Sequence, residues 1–217
     1  MCSSDLLFPD PKHIRLNTPL GVSVANYFRR INVEHLGTQD MDTPAAIAAF
    51  INGEGGIYPT GTWMIGSFQQ EATTPGRPLY NAYAVYPYPR LWGQRVEYVS
   101  GHVWVVPARK RSPAQHAAIA RFFKFMAAHN YDWARTGHIP AFKAVLSDPR
   151  FQALPHRADI APLADIGRPL PSYVQRQNAI EGLVGEEAAA AFTGQKSIER
   201  ALADAERRVN DMLGQVE

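Results

Sequence analysis

Cysteine is nearly absent from this 217-residue chain: Cys2 is the only one. That excludes an internal disulfide and any cysteine-based metal site, and it leaves the redox compartment open. Charge of one sign is also lacking. The net charge is +2, too small to argue for a nucleic-acid partner. Arg109, Lys110 and Arg111 form the only basic run of three, and they read as a solvated loop before a helix. No window approaches 18 continuous apolar residues, which excludes a membrane-spanning helix. Met1 to Asp10 has neither the charged start nor the apolar stretch of a signal peptide. Cys2 to Leu6 instead reads as the translated end of a common sequencing adapter, so Met1 to Leu6 is expected to be non-native. Residues 1–14 are therefore expected to be a non-native or linker start, and the chain a gene fragment.

Several chemistries are missing as well. There is no Gly-x-x-x-x-Gly-Lys-Ser/Thr phosphate loop and no Gly-x-Ser-x-Gly elbow. The seven histidines form no His-Glu-x-x-His pattern. His116 and His129 fall at opposite ends of one helix, too far apart to share a metal, and read as exposed. Glu97, Asp132 and Asp159 could serve a glycosidase, but spacing selects no pair. Glu186-Glu187 reads as a solvated helix face. The expectation is no catalytic residue, no metal and no cofactor.

What is present is 46% apolar residues, enough for a folded core, and clear helix punctuation. Thr18-Pro19, Thr43-Pro44 and Ser112-Pro113 each place a capping hydroxyl before a proline. Apolar faces follow at helical spacing: Leu20, Val24, Tyr27, Phe28 and Ile31; then Ile47, Phe50 and Ile51, ending at Asn52-Gly53; then Ile119, Phe122, Phe123 and Met126. Two helices close the chain. One carries Ile180, Leu183, Val184, Ala188 and Ala191 and breaks at Thr193-Gly194. The other starts at Ser197 and presents Ile198, Leu202, Ala205, Val209 and Met212. Gly61-Thr62-Trp63 opens a further helix or turn. Short strands are expected at 56–58, 83–86 and 102–106, a polar loop at 71–78, and a proline-rich loop from Pro140 to Pro171. Helices alternating with short strands indicate an α/β layered fold.

Aromatic residues gather at turns: Trp63, Trp92, Trp104 and Trp133, with Tyr58, Tyr80, Tyr83, Tyr86 and Tyr88. A flat ring beside backbone N–H groups suits the C–H face and hydroxyls of a sugar; each ring taken singly also suits a core.

The stretch Ala49-Phe50-Ile51-Asn52-Gly53-Glu54-Gly55-Gly56-Ile57-Tyr58-Pro59-Thr60-Gly61-Thr62-Trp63 resembles a hallmark of family 1 extracellular solute-binding proteins, although Gly56 and Ile57 stand where alanine and methionine are usual. Further likenesses follow in the family's order. They are Pro87-Tyr88-Pro89; Ser100-Gly101-His102, with a serine in place of the first glycine; Phe122 to Met126; Gly137-His138-Ile139-Pro140; Asp148-Pro149; and Thr193-Gly194-Gln195-Lys196-Ser197 with Ala201-Leu202 and Asn210.

The resemblance implies a type II periplasmic-binding-protein fold, with ligand between two α/β lobes. Residues 15–98 and 149–217 would form the C-terminal lobe, and 99–148 would cross to an N-terminal lobe mostly outside this chain. An apolar patch around Phe122, Phe123, Phe125 and Met126 would then be exposed. The implied role is the substrate-capture subunit of an ABC importer, periplasmic or extracellular, for a sugar or oligosaccharide. It would partner membrane permease subunits and be a monomer at full length. The alternatives are a carbohydrate-active hydrolase, or a receptor for glycerol phosphate, peptide or polyamine. A hydrolase would need two carboxylates near Trp63. A phosphate ligand would want Arg or Lys beside Gly101, and an amine would want Asp or Glu there.

By the same likeness Trp63 would stack on ligand. Thr62 would offer a hydroxyl or cap a helix, and Gly101 would admit close approach or merely turn the chain. His102 would bond a ligand hydroxyl or point away, and His138 would lie near the ligand. Arg168 and Tyr173 would add polar or aromatic contacts.

Overall fold

The computed structural model describes residues 7–38, 41–93 and 95–216. The adapter-like start Met1 to Leu6, including Cys2, lies outside them. Two compact units result. One joins the described residues up to Met41 with those from Pro169 onward; the other is Asp42–Arg168.

The first unit is built on three helices, α1 (Pro19–Val33), α10 (Gln177–Phe192) and α11 (Ile198–Gly214). Their ends follow from local chemistry. The Thr18 hydroxyl accepts from the Gly21 amide and the Ser197 hydroxyl from the Arg200 amide, satisfying amides that have no partner inside the helix. At Gly194 φ is +79°, which ends α10 in the left-handed conformation that suits glycine.

Phe8, Ile14, Val174, Ile180, Val209 and Leu213 form one buried cluster, and Ala25, Ala191, Ile198 and Ala201 another. On the α11 stripe Ile198, Ala205 and Val209 are buried as the spacing predicts, Leu202 and Met212 are only partly buried, and Ala201 and Leu213 are buried besides. On α1 the predicted face is displaced: Ala25 is the buried residue, while Leu20, Tyr27 and Phe28 are exposed. The α10–α11 seam also corrects the reading of Glu186-Glu187. Glu187 is buried, and its carboxylate accepts from Lys196 Nζ at 2.5 Å and from Arg208 at 2.9 Å. Two cations reach in from α11 and the preceding turn, and that is what allows the charge inside. Glu186 stays outside and pairs with the same Arg208 at 2.7 Å.

The second unit opens with α2 (Thr43–Ile51), capped by the Asp42 carboxylate rather than by Thr43, which is its first helical residue. A 3-10 turn at Thr62–Met64 leads into α3 (Ile65–Thr73), so the expected loop at 71–78 begins three residues late. Phe68 on α3 is buried, with the rings of Phe50, Tyr58 and Tyr83 centred 4.9, 6.0 and 5.8 Å away. Next come β1 (Glu97–Tyr98), α4 (Pro113–Ala128) and α5 (Asn130–Ala134). The region read as a proline-rich loop instead holds four one-turn helices, α6 (Lys143–Leu146), α7 (Pro149–Gln152), α8 (Arg157–Ile160) and α9 (Leu163–Ile166), before β2 (Gly167–Arg168). Proline at a first helical position starts a turn rather than preventing one. At α7 the Asp148 carboxylate caps Pro149-Arg150.

The strands at 56–58, 83–86 and 102–106 are corrected: those residues are outside regular structure. A strand needs a ladder partner as well as β-branched residues. Among the described residues the one sheet is the two-residue parallel pairing of Glu97 with Gly167 and Tyr98 with Arg168. Val103 and Val105 are 80% and 77% exposed. Helix α4 starts at the predicted Ser112-Pro113 cap, which the Gln115 side chain completes as a full capping box, yet it buries none of its residues. Phe122 and Phe125 are exposed, and Phe122 stacks edge-on with the equally exposed Trp104 at 5.2 Å. Of the apolar patch expected on this helix, Phe122 and Phe125 are exposed, while Phe123 and Met126 are partly covered.

Candidate ligand-binding site

Six site residues were singled out from sequence, namely Thr62, Trp63, Gly101, His102, His138 and Arg168, and all lie in the Asp42–Arg168 unit. Trp63 is 58% exposed, and its ring folds back over Gly61. A β-carbon on Gly61 would stand 1.7–2.2 Å from that ring, so only glycine leaves the indole room there. The capping position of this turn is Gly61, which has no side chain to cap with. The hydroxyl of Thr62 is therefore not the helix cap.

The Gly137-His138 turn docks against the same backbone. Gly137 has φ +136°, and a β-carbon on it would stand 2.5 Å from the Thr62 carbonyl oxygen and 3.2 Å from that of Trp63. Gly66, one turn along, likewise has the Thr136 carbonyl oxygen 2.3 Å from where its β-carbon would be. Two missing side chains thus let residues 136–137 press onto the start of α3.

His138 is half-buried, with its ring 4.2 Å from that of Trp133. The Thr136 hydroxyl donates to the Trp133 carbonyl at 2.7 Å and lies 3.2 Å from His138 Nδ1. A hydroxyl has one proton. Having given it to Trp133, Thr136 accepts from Nδ1–H, and in the neutral ring Nε2 is left as an acceptor. Burial lowers the His138 pKa, and His102 lowers it further. The His102 ring meets Trp133 edge-on at 6.5 Å, so both histidines face one indole.

Gly101 is exposed, without a positive φ, and open space surrounds the position of its missing β-carbon. Neither a strained turn nor a crowded neighbour demands glycine there. Arg168 is taken up locally, donating to the carbonyls of Asp165 and Gly167 at 3.2 and 2.8 Å; no contact links it to the Trp63 turn. Tyr173 lies in the other unit, where its hydroxyl donates to the Phe8 carbonyl at 3.1 Å. The structure thus brings His102 and His138 against Trp133, and the Gly137 turn that carries His138 against the backbone of Thr62 and Trp63. Trp133 was read only as one of several aromatics at turns, and Thr136 was not singled out from sequence; the signal that could have found them is their place just before the Gly-x-x-Pro turn. Among the described residues no cluster of three or more His, Cys, Asp or Glu could hold a metal ion, and no helix is long and apolar enough to cross a membrane.

The arrangement is an exposed indole folded over a glycine in one turn and, on the turn packed against that backbone, a second indole faced by two imidazoles. Residues 10–159 match the family described as bacterial extracellular solute-binding protein, and the chain belongs to that family. No curated protein sequence matches it.

Solved structures that share its fold include three sugar-binding proteins. The cyclic alpha-maltosyl-1,6-maltose binding protein from Arthrobacter globiformis is 20% identical, with a TM-score of 0.71 over 98% of this chain and 53% of that one. A cyclo/maltodextrin-binding protein complexed with maltotetraose is 22% identical, with a TM-score of 0.74 over 96% of this chain and 52% of that one. Maltose-bound MalE3 of T. maritima is 21% identical, with a TM-score of 0.69 over 96% of this chain and 54% of that one. The α/β periplasmic-binding-protein fold read from the sequence is that of these proteins, and the chain spans about half the length of each.

Proposed function

We propose that this chain carries one wall of the ligand cleft in the substrate-capture component of an ABC importer, and that the ligand is a sugar or oligosaccharide. The observation that carries this reading is the glycine-seated, exposed Trp63, with the Trp133–His138 pair held against its backbone by Gly137. An exposed ring offers a face for pyranose C–H groups. His138 Nε2 offers an acceptor to a hydroxyl, and Thr62 a hydroxyl of its own. Membership in the solute-binding family, and the binding of maltose and maltodextrins by proteins of like fold, support the same ligand class.

Residues 15–98 and 149–217 would constitute one lobe and 99–148 the crossing to the other. The β1–β2 pairing, which joins the first two stretches, supports that division. The bare face of α4 with Val103, Trp104 and Val105 is the surface the other lobe would cover. Capture would proceed by closure of the lobes on ligand, followed by delivery, from a periplasmic or extracellular location, to the membrane permease subunits. With one wall present, affinity is expected to be weak.

Saturation-transfer NMR on the chain tests the ligand class, with maltose, maltotetraose, glycerol phosphate and spermidine as probes. Transfer to the two sugars, lost in Trp63→Ala, is the expected result. Transfer to glycerol phosphate or spermidine alone would reject the sugar.

A further inference from the structure

Arg157, the first residue of α8, is 3% exposed. Its guanidinium donates to the Arg135 carbonyl at 2.8 Å and to the Pro155 carbonyl at 3.0 Å, and its Nε has no acceptor among the described residues. Both acceptors are backbone. The cation is therefore not held by a carboxylate through these bonds, and its burial disfavours the charged form. A methionine of similar length would fill the same space without that cost. What the arginine adds is direction.

One arm holds the carbonyl of Arg135, the residue that ends α5. Carbonyls at a helix end lack internal partners, and a cation is favoured there. The three residues that follow are Thr136, Gly137 and His138. The other arm holds Pro155, next to His156, whose φ of +62° is left-handed. The His156 ring is fixed in turn, with Nε2 3.0 Å from Gln69 Oε1 on α3 and its ring 5.0 Å from Tyr83. Arg157 therefore ties the end of α5 to a chain segment that is itself anchored on α3.

We infer that Arg157 is a positioning residue of the candidate site: its guanidinium fixes the backbone entering the 136–138 turn, and through it holds the His138 ring beside Trp133 and the turn against Thr62 and Trp63. As a statement about a ligand site this rests on the function proposed above; the test below uses no ligand, so the two stand or fall separately.

The experiment records the imidazole resonances of the full 217-residue chain across a pH titration, with His138 assigned by its loss in His138→Gln. Wild type is compared with Arg157→Met and Arg157→Lys, and thermal melts are run alongside. His138 faces Trp133 and Thr136, with His102 the titratable group that acts on it. In Arg157→Met the His138 pKa is expected to rise toward the ordinary histidine value as the turn loosens and water reaches the ring, while the melting temperature changes little. Arg157→Lys keeps the charge but cannot span both carbonyls, and should move His138 the same way by less. If His138 titrates as in wild type in both variants, whatever the melts show, Arg157 is a core residue only and the inference is wrong. If the methionine variant does not fold, the lysine variant is read alone by the same criterion.

Discussion

A β-carbon on Gly137 would stand 2.5 Å from the carbonyl oxygen of Thr62, although the two residues are 75 positions apart. This contact, with its companion between Gly66 and the Thr136 carbonyl, sets how closely the His138 turn approaches the Trp63 turn.

Gly137→Ala should therefore be costly on two counts, a φ of +136° and a clash with backbone that no side chain can relieve. A loss of about 1–3 kcal/mol is expected from the strained conformation, measured by urea unfolding. Gly101→Ala is the control, since open space surrounds that position; it should stay within about 0.5 kcal/mol. Equal effects at the two glycines would contradict the packing described.

The histidine beside this contact should make the site sensitive to pH. The His138 pKa is lowered below the ordinary 6.5, so the folded state resists protonating it. The stability it contributes is present above 6.5 and is lost as pH falls through the depressed folded value. Protonation would also turn Nε2 from acceptor to donor. A Trp-fluorescence titration with maltotetraose should show binding that weakens as pH falls from 7 to 5, and His138→Gln should abolish that dependence. Trp63→Ala should weaken binding about tenfold or more at every pH.

How much of this could be read from the chain depends on how local the determinant is. The helix starts at Thr18, Ser112 and Ser197 and the stops at Gly53 and Gly194 were legible because a cap is made by residues two or three apart. The apolar patch on α4 was legible from the family's architecture. The strand at 102–106 was misread because alternation of Val103 and Val105 describes a strand's composition and says nothing of its partner. Glu187 was misread because its two cations, Lys196 and Arg208, lie 9 and 21 residues on. At the candidate site, Trp63 and His138 were put forward through motif likeness. The role of Trp133 depends on where a turn places His102 and His138, which spacing does not reveal.

Glu187 leads to a prediction about acid. Hydrogen bonds from Lys196, opposed by burial and aided by Arg208, hold its carboxyl below the ordinary 4.5, and Asp204 is held low by Lys196 and Arg200. For a depressed carboxylate the stabilisation is present above the unfolded value and is lost as pH falls through the folded one. The α10–α11 seam should thus weaken progressively below pH 4.5 in acid titrations followed by circular dichroism. Glu187→Ala should cost about 1–3 kcal/mol at neutral pH; water at Lys196 and Arg208 keeps it under the range for a fully buried pair. The same variant should flatten the acid slope. A slope unchanged by the substitution would mean that Glu187 titrates as it does in the unfolded chain.

The exposed face of α4 gives the last prediction. Phe122 and Phe125 are 44% and 57% exposed, and Trp104, stacked on Phe122, is 64% exposed. Rings left in water on one helix face favour association between copies, because joining them removes apolar area from solvent. The chain should self-associate in sedimentation velocity as its concentration rises. Phe122→Ser with Phe125→Ser should suppress this. Because neither ring is part of a core, the double variant should change unfolding stability by less than about 1 kcal/mol. A loss of several kcal/mol would mean that the two rings are packed in solution, and the face could not then be the surface that awaits a second lobe.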